Sequence, residues 1–139
     1  MDSFALRLHP KEDLKISLDA FARDHHLQAA CIVTCVGSLR QAVLRFANQS
    51  QVTPLEGKFE IVSLVGAFSE VGGHYHISIS DGRGRTVGGH LMDGCLIYTT
   101  AEIVIGVLPG VRFLREPDAE TGYDELAIYY TPGRTAPIT

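Results

Sequence analysis

Apolar and polar residues alternate along most of this chain, as they do in half-buried β-strands. The first alternating segment, residues 3–8, predicts a short strand that a His-Pro pair ends. Between residues 11 and 26 the apolar positions instead recur at helical spacing, with acidic residues early and histidines late, which suits the helix dipole. The pattern therefore predicts one helix near the N-terminus, and His25 and His26 are explained as its last residues.

The rest of the chain predicts strands separated by turns. We expect strands at residues 29–36, 41–47, 57–68, 101–108, 111–114 and 125–130, a loop at 48–55 and an acidic loop at 116–124. Gly37-Ser38 is expected to close the second strand as a turn or bulge, and Gly66 to mark a bulge or kink. One helix with seven or eight strands predicts an α+β single domain, residues 1–139, in which the N-terminal helix packs on a largely antiparallel sheet.

The segment 72–91, GGHYHISISDGRGRTVGGHL, holds three of the six histidines and predicts a hairpin. Its first half alternates, so that histidines and serines share one face while the other face is apolar. An Asp-Gly-Arg-Gly turn follows. A three-residue loop with a left-handed last glycine pairs His76 with His90 and leaves His74 on the same face. The same register pairs apolar residues on the opposite face, which supports it.

His74, His76 and His90 therefore form a candidate metal site. Residues two apart on a strand are separated by about 6.6 Å, a gap that two imidazoles can close around one ion at about 2.1 Å from each nitrogen. No fourth ligand is evident, so the site would be open to water, a substrate or a neighbouring subunit. Zinc or another divalent transition metal suits such ligands. The simpler alternative is a row of surface or interface histidines that hydrogen-bond to neighbours.

The charge of the chain argues against binding nucleic acid by bulk electrostatics. The 139 residues carry a net charge of -4, whereas domains that bind DNA in this way have a basic excess. Lysines and arginines are spread along the sequence, most densely near Arg83, Arg85, Arg112 and Arg115, and are interpreted as solvated surface charge.

The three cysteines point to a reducing compartment. Their number is odd, and Cys31 and Cys35 would stand about 13 Å apart on an extended strand, too far for a disulfide. We expect reduced cysteines in a cytoplasmic protein. No signal peptide and no long apolar run is recognisable, so no membrane contact is expected.

Three segments together resemble the PPC domain family, the plant and prokaryote conserved domain also known as DUF296. The histidine segment matches the prokaryotic signature, GKFEIVSLVG at 57–66 is similar to the GRFEILSLSG of plant members, and GSLRQAVLR at 37–45 resembles the segment before it. The similarity covers nearly the whole chain. In plants the domain stands beside AT-hooks in nuclear DNA-binding proteins.

The resemblance implies a homotrimer with the histidine face near the subunit interface and, in prokaryotic members, a metal that is usually zinc. It matches His74, His76 and His90 position by position. Arg45, Glu60 and Ser78 are expected to support the site or to contact a partner. Plant members replace the histidines. The AT-hook core is Arg-Gly-Arg-Pro, whereas this chain has Arg-Gly-Arg-Thr at 83–86 inside a turn, so the DNA-binding role transfers only weakly.

Two functions follow as hypotheses. The first is a binding or regulatory module that uses its metal site and its assembly to meet a DNA or protein partner. The alternative is a metal-dependent enzyme acting on a small polar substrate, with Ser78, Ser80, Thr86, Glu60 or Glu102 as helpers, although no acid has the spacing of a convincing general base. A cupin would need a Glu where Ile79 and Ser80 stand.

Overall fold

The computed structural model describes residues 2–133 and contains one helix and eight strands in that range. In chain order these are β1 (Asp2–Leu8), α1 (Leu14–Asp24), β2 (Ala30–Arg45), β3 (Thr53–Ser69), β4 (Gly72–Ser80), β5 (Thr86–Leu91), β6 (Leu96–Val107), β7 (Val111–Pro117) and β8 (Asp124–Tyr130). All strand pairings are antiparallel, which confirms the α+β class. Met1 and residues 134–139 lie outside the described part, so the extent of 1–139 stays a prediction.

Helix α1 is shorter at both ends than the predicted 11–26. Lys11 has a φ of 75°, which a right-handed helix does not allow. Asp13 instead caps the helix, because its side chain accepts a hydrogen bond from the backbone N–H of Ile16 at 3.0 Å. At the other end His25 is the C-cap and stacks on Phe21 with the ring centroids 3.9 Å apart. The structural explanation of this histidine is thereby confirmed.

The main sheet has six strands in the order β1-β6-β2-β3-β4-β5. The sheet curls until β5 also meets the far end of β2, where Leu44 pairs with Leu91 and Arg45 pairs with His90. This second pairing brings the end of β2 beside the histidine hairpin. Helix α1 buries Leu14 and Leu18 completely against the concave side of the sheet, where the main core lies.

The predicted break at Gly37-Ser38 is wrong, because β2 continues through it as one strand from Ala30 to Arg45. Gly37 is needed because the backbones of β2 and β6 lie very close together here. A Cβ at this position would lie 2.2 Å from the backbone oxygen of Thr100 on β6. The pairing register between β2 and β6 shifts between Gly37 and Leu39. The alternative prediction of a bulge at this point is therefore confirmed, although the strand does not end there.

Two further boundaries differ because long β2 pairs on both sides. The predicted loop 48–55 ends early, since β3 begins at Thr53, which pairs with Leu44. Strand β6 begins at Leu96 rather than Ala101, and its first residues pair with β2 as well. Both segments are polar in part, and their strand conformation comes from partners distant in sequence.

The predicted bulge at Gly66 is absent from the pairing with β4. Gly66 pairs in register with Tyr75, and the shift between β3 and β4 lies between Ile61 and Ser63. A Cβ on Gly66 would stand 2.4 Å from Cδ1 of Tyr75, so the glycine makes room for this ring. The ring is 2% exposed, and its hydroxyl donates to Asp19 Oδ1 of α1 at 3.0 Å.

Strands β7 and β8 form a second hairpin, longer than the predicted strand 111–114 and closed by a shorter acidic loop. It is fixed to the body of the domain by Phe113, whose backbone N–H donates to Gln28 O at 2.9 Å and whose carbonyl accepts from Ser69 Oγ at 3.1 Å. Val111 and Phe113 pack on Ala29 in a small second core.

The three cysteines are free. Burial raises the thiol pKa of Cys35 and of Cys95 to about 11, which fits their role as small core residues. No helix within residues 2–133 has the length and apolar character that crossing a membrane would need.

Candidate metal centre

The histidine hairpin has the predicted register. His76 pairs with His90 and Ile79 with Val87, and the turn is closed by a hydrogen bond from the N–H of Asp81 to Arg85 O at 2.9 Å. The carboxylate of Asp81 accepts the backbone N–H groups of the turn, at 2.8 and 3.0 Å, and its role as a turn former is confirmed. Gly84 has a φ of 78°, the left-handed conformation that the loop requires.

The three histidines converge on one point. Nε2 of His74 lies 3.1 Å from Nε2 of His76, and Nδ1 of His90 lies 3.2 Å from each of them. The three nitrogens therefore form a nearly equilateral triangle. Within residues 2–133 it is the one group of at least three potential metal-binding side chains that comes close enough to share an ion.

Hydrogen bonding among the imidazoles cannot satisfy this triangle. Each ring nitrogen presents either a proton or a lone pair, and a hydrogen bond needs one of each. Of three nitrogens, at least two must both present a proton or both present a lone pair. At least one edge of the triangle is therefore repulsive. A single cation that accepts all three lone pairs removes the conflict.

The dimensions also fit a metal. Ligands about 2.1 Å from one ion lie about 3.0 Å apart in octahedral and about 3.4 Å apart in tetrahedral coordination. The observed edges of 3.1 to 3.2 Å fall between these values. Three imidazole nitrogens suit zinc and other divalent transition metals, and a three-ligand face leaves coordination positions open.

The surroundings favour the neutral, metal-binding form of His74 and His90. Desolvation lowers the pKa of His74, and the positive charges of His76 and Arg115 lower it further. Desolvation also lowers the pKa of His90, with Arg45 as the next cause. A neutral ring offers a lone pair without first losing a proton.

The structure brings only part of the predicted supporting set to the triangle. Arg45 is adjacent, because it pairs directly with His90. Ser78 is two residues along β4 on the same face and is half-buried. Glu60 lies toward the other end of β4, where it pairs with Ser80 and, on its other side, with Ser38.

Sequence reasoning missed the other charged groups near the site. A cleft of about 940 Å³ opens beside His74 and His90, and its lining includes Lys15 from α1 and Arg115 and Glu125 from the β7–β8 hairpin. These residues are far from the histidine segment in sequence. No local pattern indicates that two hairpins and a helix meet here.

Fold and site together define a small α+β domain with a three-histidine face on a β-hairpin. The chain belongs to the Plants and Prokaryotes Conserved (PCC) domain family, whose model matches residues 1–109. The resemblance noted in the sequence is thereby confirmed.

Two curated relatives show the range of the family. Bifunctional protein GlmU of a Synechococcus species is 48% identical over 130 residues, which cover 94% of this chain and 21% of that protein. AT-hook motif nuclear-localized protein 13 of Arabidopsis thaliana is 34% identical over 107 residues, covering 68% of this chain and 24% of that protein. The chain thus spans about a fifth to a quarter of the length of these relatives.

Two solved structures share the fold over nearly their whole length. A hypothetical protein from Salmonella enterica is 45% identical with a TM-score of 0.91, and the match covers 93% of this chain and 94% of that one. A metal-containing protein from Archaeoglobus fulgidus is 27% identical with a TM-score of 0.79, covering 91% of this chain and 94% of that one.

Proposed function

We propose that this chain is a metal-dependent binding and regulatory module in which His74, His76 and His90 hold zinc or another divalent transition metal. The observation that carries the proposal is the nitrogen triangle, whose edges of 3.1 to 3.2 Å fit one ion and cannot be satisfied by hydrogen bonds alone. The metal-containing relative from Archaeoglobus fulgidus supports it. When bound, the ion would fix the hairpin and offer a Lewis-acidic position to a ligand.

The test is metal analysis of the purified protein and of matched variants. We expect about one zinc-class ion per chain in the wild type and a loss of at least tenfold in metal affinity in His76→Ala. His9→Ala is the control, since it removes an exposed histidine outside the triangle. Equal metal content in His76→Ala and in wild type would refute the proposed metal site.

We further propose that three copies assemble, with the histidine face near the interface. The outer side of the two central strands carries Val33, Val36, Val62 and Val65, each between 51% and 58% exposed. Val65 pairs with His76, so this apolar surface reaches the metal site. Exposed apolar patches of this kind mark association surfaces.

Mass measurement in solution tests the assembly. The wild type should have about three times the 15.1 kDa of one chain. Val65→Glu should fall to the mass of one chain, because a buried carboxylate without a partner is costly, whereas Val52→Glu, on the loop before β3, should not change it. A wild type that runs as a monomer would contradict the assembly.

The partner is proposed to be DNA or another protein, in a cytoplasmic setting that the free cysteines support. The Arabidopsis relative favours DNA, while the net charge of -4 disfavours it. The Arg83-Gly84-Arg85 segment does not form an AT-hook, since Arg85 Nε donates a 2.8 Å hydrogen bond to Asp81 within the turn. Gel shifts at low and moderate salt decide between the two, and the absence of a shift at low salt leaves a protein partner.

A metal-dependent enzyme acting on a small polar substrate is the second candidate. It is favoured by the cleft that opens directly beside the unfilled side of the triangle. Of the proposed helpers, Ser80 and Thr86 bond to each other at 2.5 Å, and Glu102 is exposed on β6. A turnover screen on metal-loaded protein that stays blank supports the module instead.

A further inference from the structure

We propose that the cleft beside the histidines binds a small organic anion, carrying a carboxylate or phosphate group, through Arg45 and Arg115. The anion would reach the open side of the metal that the proposed function places on the triangle. Only the contact between the anion and the metal depends on that proposed function. The arginines form an anion site in their own right.

Three positively charged side chains meet at the cleft. Arg45 ends β2, Arg115 lies on β7 and Lys15 lies on α1, so three separate elements each direct one positive residue to the same cleft. All three are half-buried.

These three cations differ in the partners they contact. Lys15 is neutralised by Asp19 at 2.6 Å. Arg45 donates to the backbone oxygen of Gln49 at 3.3 Å and has no ion pair among residues 2–133. Arg115 has neither an ion pair nor a side-chain hydrogen bond within the same range. Partly desolvated guanidinium groups that make no direct ion pair are suited to bidentate capture of a carboxylate or phosphate.

The size and the net charge of the cleft suit a small anion. The volume of about 940 Å³ is that of a small-molecule pocket. Asp124 and Glu125 also line the cleft, and because Lys15 is paired with Asp19, the cleft is close to neutral before any metal is counted. A divalent ion would raise the net charge of the cleft well above neutrality, so we expect metal and anion to strengthen each other's binding by the same factor.

The test is isothermal titration of the full-length protein with two probes, malonate for a carboxylate ligand and methylphosphonate for a phosphate-like one. Each probe is titrated into protein freed of metal with a chelator and into protein loaded with one equivalent of zinc. Metal content is measured again after each titration. We expect at least one probe to bind, and to bind more tightly in the zinc-loaded protein.

Matched variants locate the binding. Arg45→Gln and Arg115→Gln should each weaken the preferred probe at least tenfold, because a charge-assisted hydrogen bond is lost. Arg112→Gln is the control, since Arg112 lies on the same strand as Arg115 but is exposed and outside the cleft. Binding that is absent for both probes, or unchanged in both cleft variants, overturns the inference.

The outcomes separate the two proposals. Zinc bound at the triangle without any anion binding leaves the proposed function intact and refutes the anion site. Arginine-dependent anion binding in a protein that does not retain zinc supports the anion site and refutes the metal proposal. Arginine-dependent binding that zinc enhances supports both.

Discussion

Replacing Gly66 by alanine should destabilise the domain through Tyr75. The added methyl carbon would lie 2.4 Å from Cδ1 of this ring and 2.9 Å from the carbonyl oxygen of His74, whereas non-bonded carbons prefer about 3.5 to 4.0 Å. The ring has little freedom to move. It also stands over Gly73, where a Cβ would meet it at 2.5 Å, and its hydroxyl is bonded to Asp19.

The cost has two parts. Overpacking a well-filled core costs about 1 to 3 kcal/mol. If the ring shifts, the hydrogen bond to the Asp19 carboxylate is lost as well, which adds about 1.5 kcal/mol. We therefore expect a loss of about 3 kcal/mol in the free energy of unfolding, and at this chain length a fall of about 10 °C in Tm. His74 adjoins Tyr75 in sequence, so zinc affinity should fall about tenfold.

Thermal unfolding of metal-free protein, followed by circular dichroism, measures the effect. Gly82→Ala is the matched control, because that glycine lies in the β4–β5 turn without positive φ and a Cβ there meets nothing within 4 Å. Its Tm should stay within about 2 °C of the wild type. If Gly66→Ala unfolds at the same temperature as Gly82→Ala, the role assigned to the close contact with Tyr75 is refuted.

Three further predictions concern the helix, its contact with the sheet and the thiols. Asp13→Ala should cost about 1 to 2 kcal/mol in urea unfolding through loss of the helix cap, and an unchanged midpoint would contradict the capping role. Tyr75→Phe should cost about 1 to 2 kcal/mol in the same assay, because it leaves the helix carboxylate with one partner fewer. At about pH 8 a disulfide reagent should modify Cys31 in the folded protein, while Cys35 and Cys95, whose thiol pKa is raised to about 11 by burial, react only on unfolding. Equal rates for the three thiols would contradict this.

The histidine hairpin was predictable from sequence because every signal that specifies it is local. Alternation with a period of two assigns His74 and His76 to one face. The turn residues fix the loop length and with it the pairing of His76 with His90. The convergence of the three imidazoles follows from this pairing.

The roles of Gly37 and Gly66 could not be predicted from sequence in the same way. A glycine in a strand favours a bulge or an end when only its neighbours are considered. Here each glycine makes room for a partner from another strand, the backbone of Thr100 in one case and the ring of Tyr75 in the other. Such contacts depend on tertiary packing.

The cleft likewise could not be predicted from the sequence. Arg115 and Glu125 come to the site only because the β7–β8 hairpin docks on the main sheet through Phe113. Charge counting placed Arg115 among ordinary surface cations. Glu60, which motif similarity favoured, lies beside Ser80 instead.

X-ray absorption at the zinc edge of zinc-loaded protein tests whether the three imidazoles together hold one metal ion. We predict three imidazole nitrogens at about 2.1 Å, with oxygen ligands completing the shell. In His90→Ala, which removes the Nδ1 corner of the triangle, the nitrogen count should fall or zinc should be lost. A spectrum of the wild type that shows only oxygen ligands, or one that does not change in His90→Ala, would contradict the account.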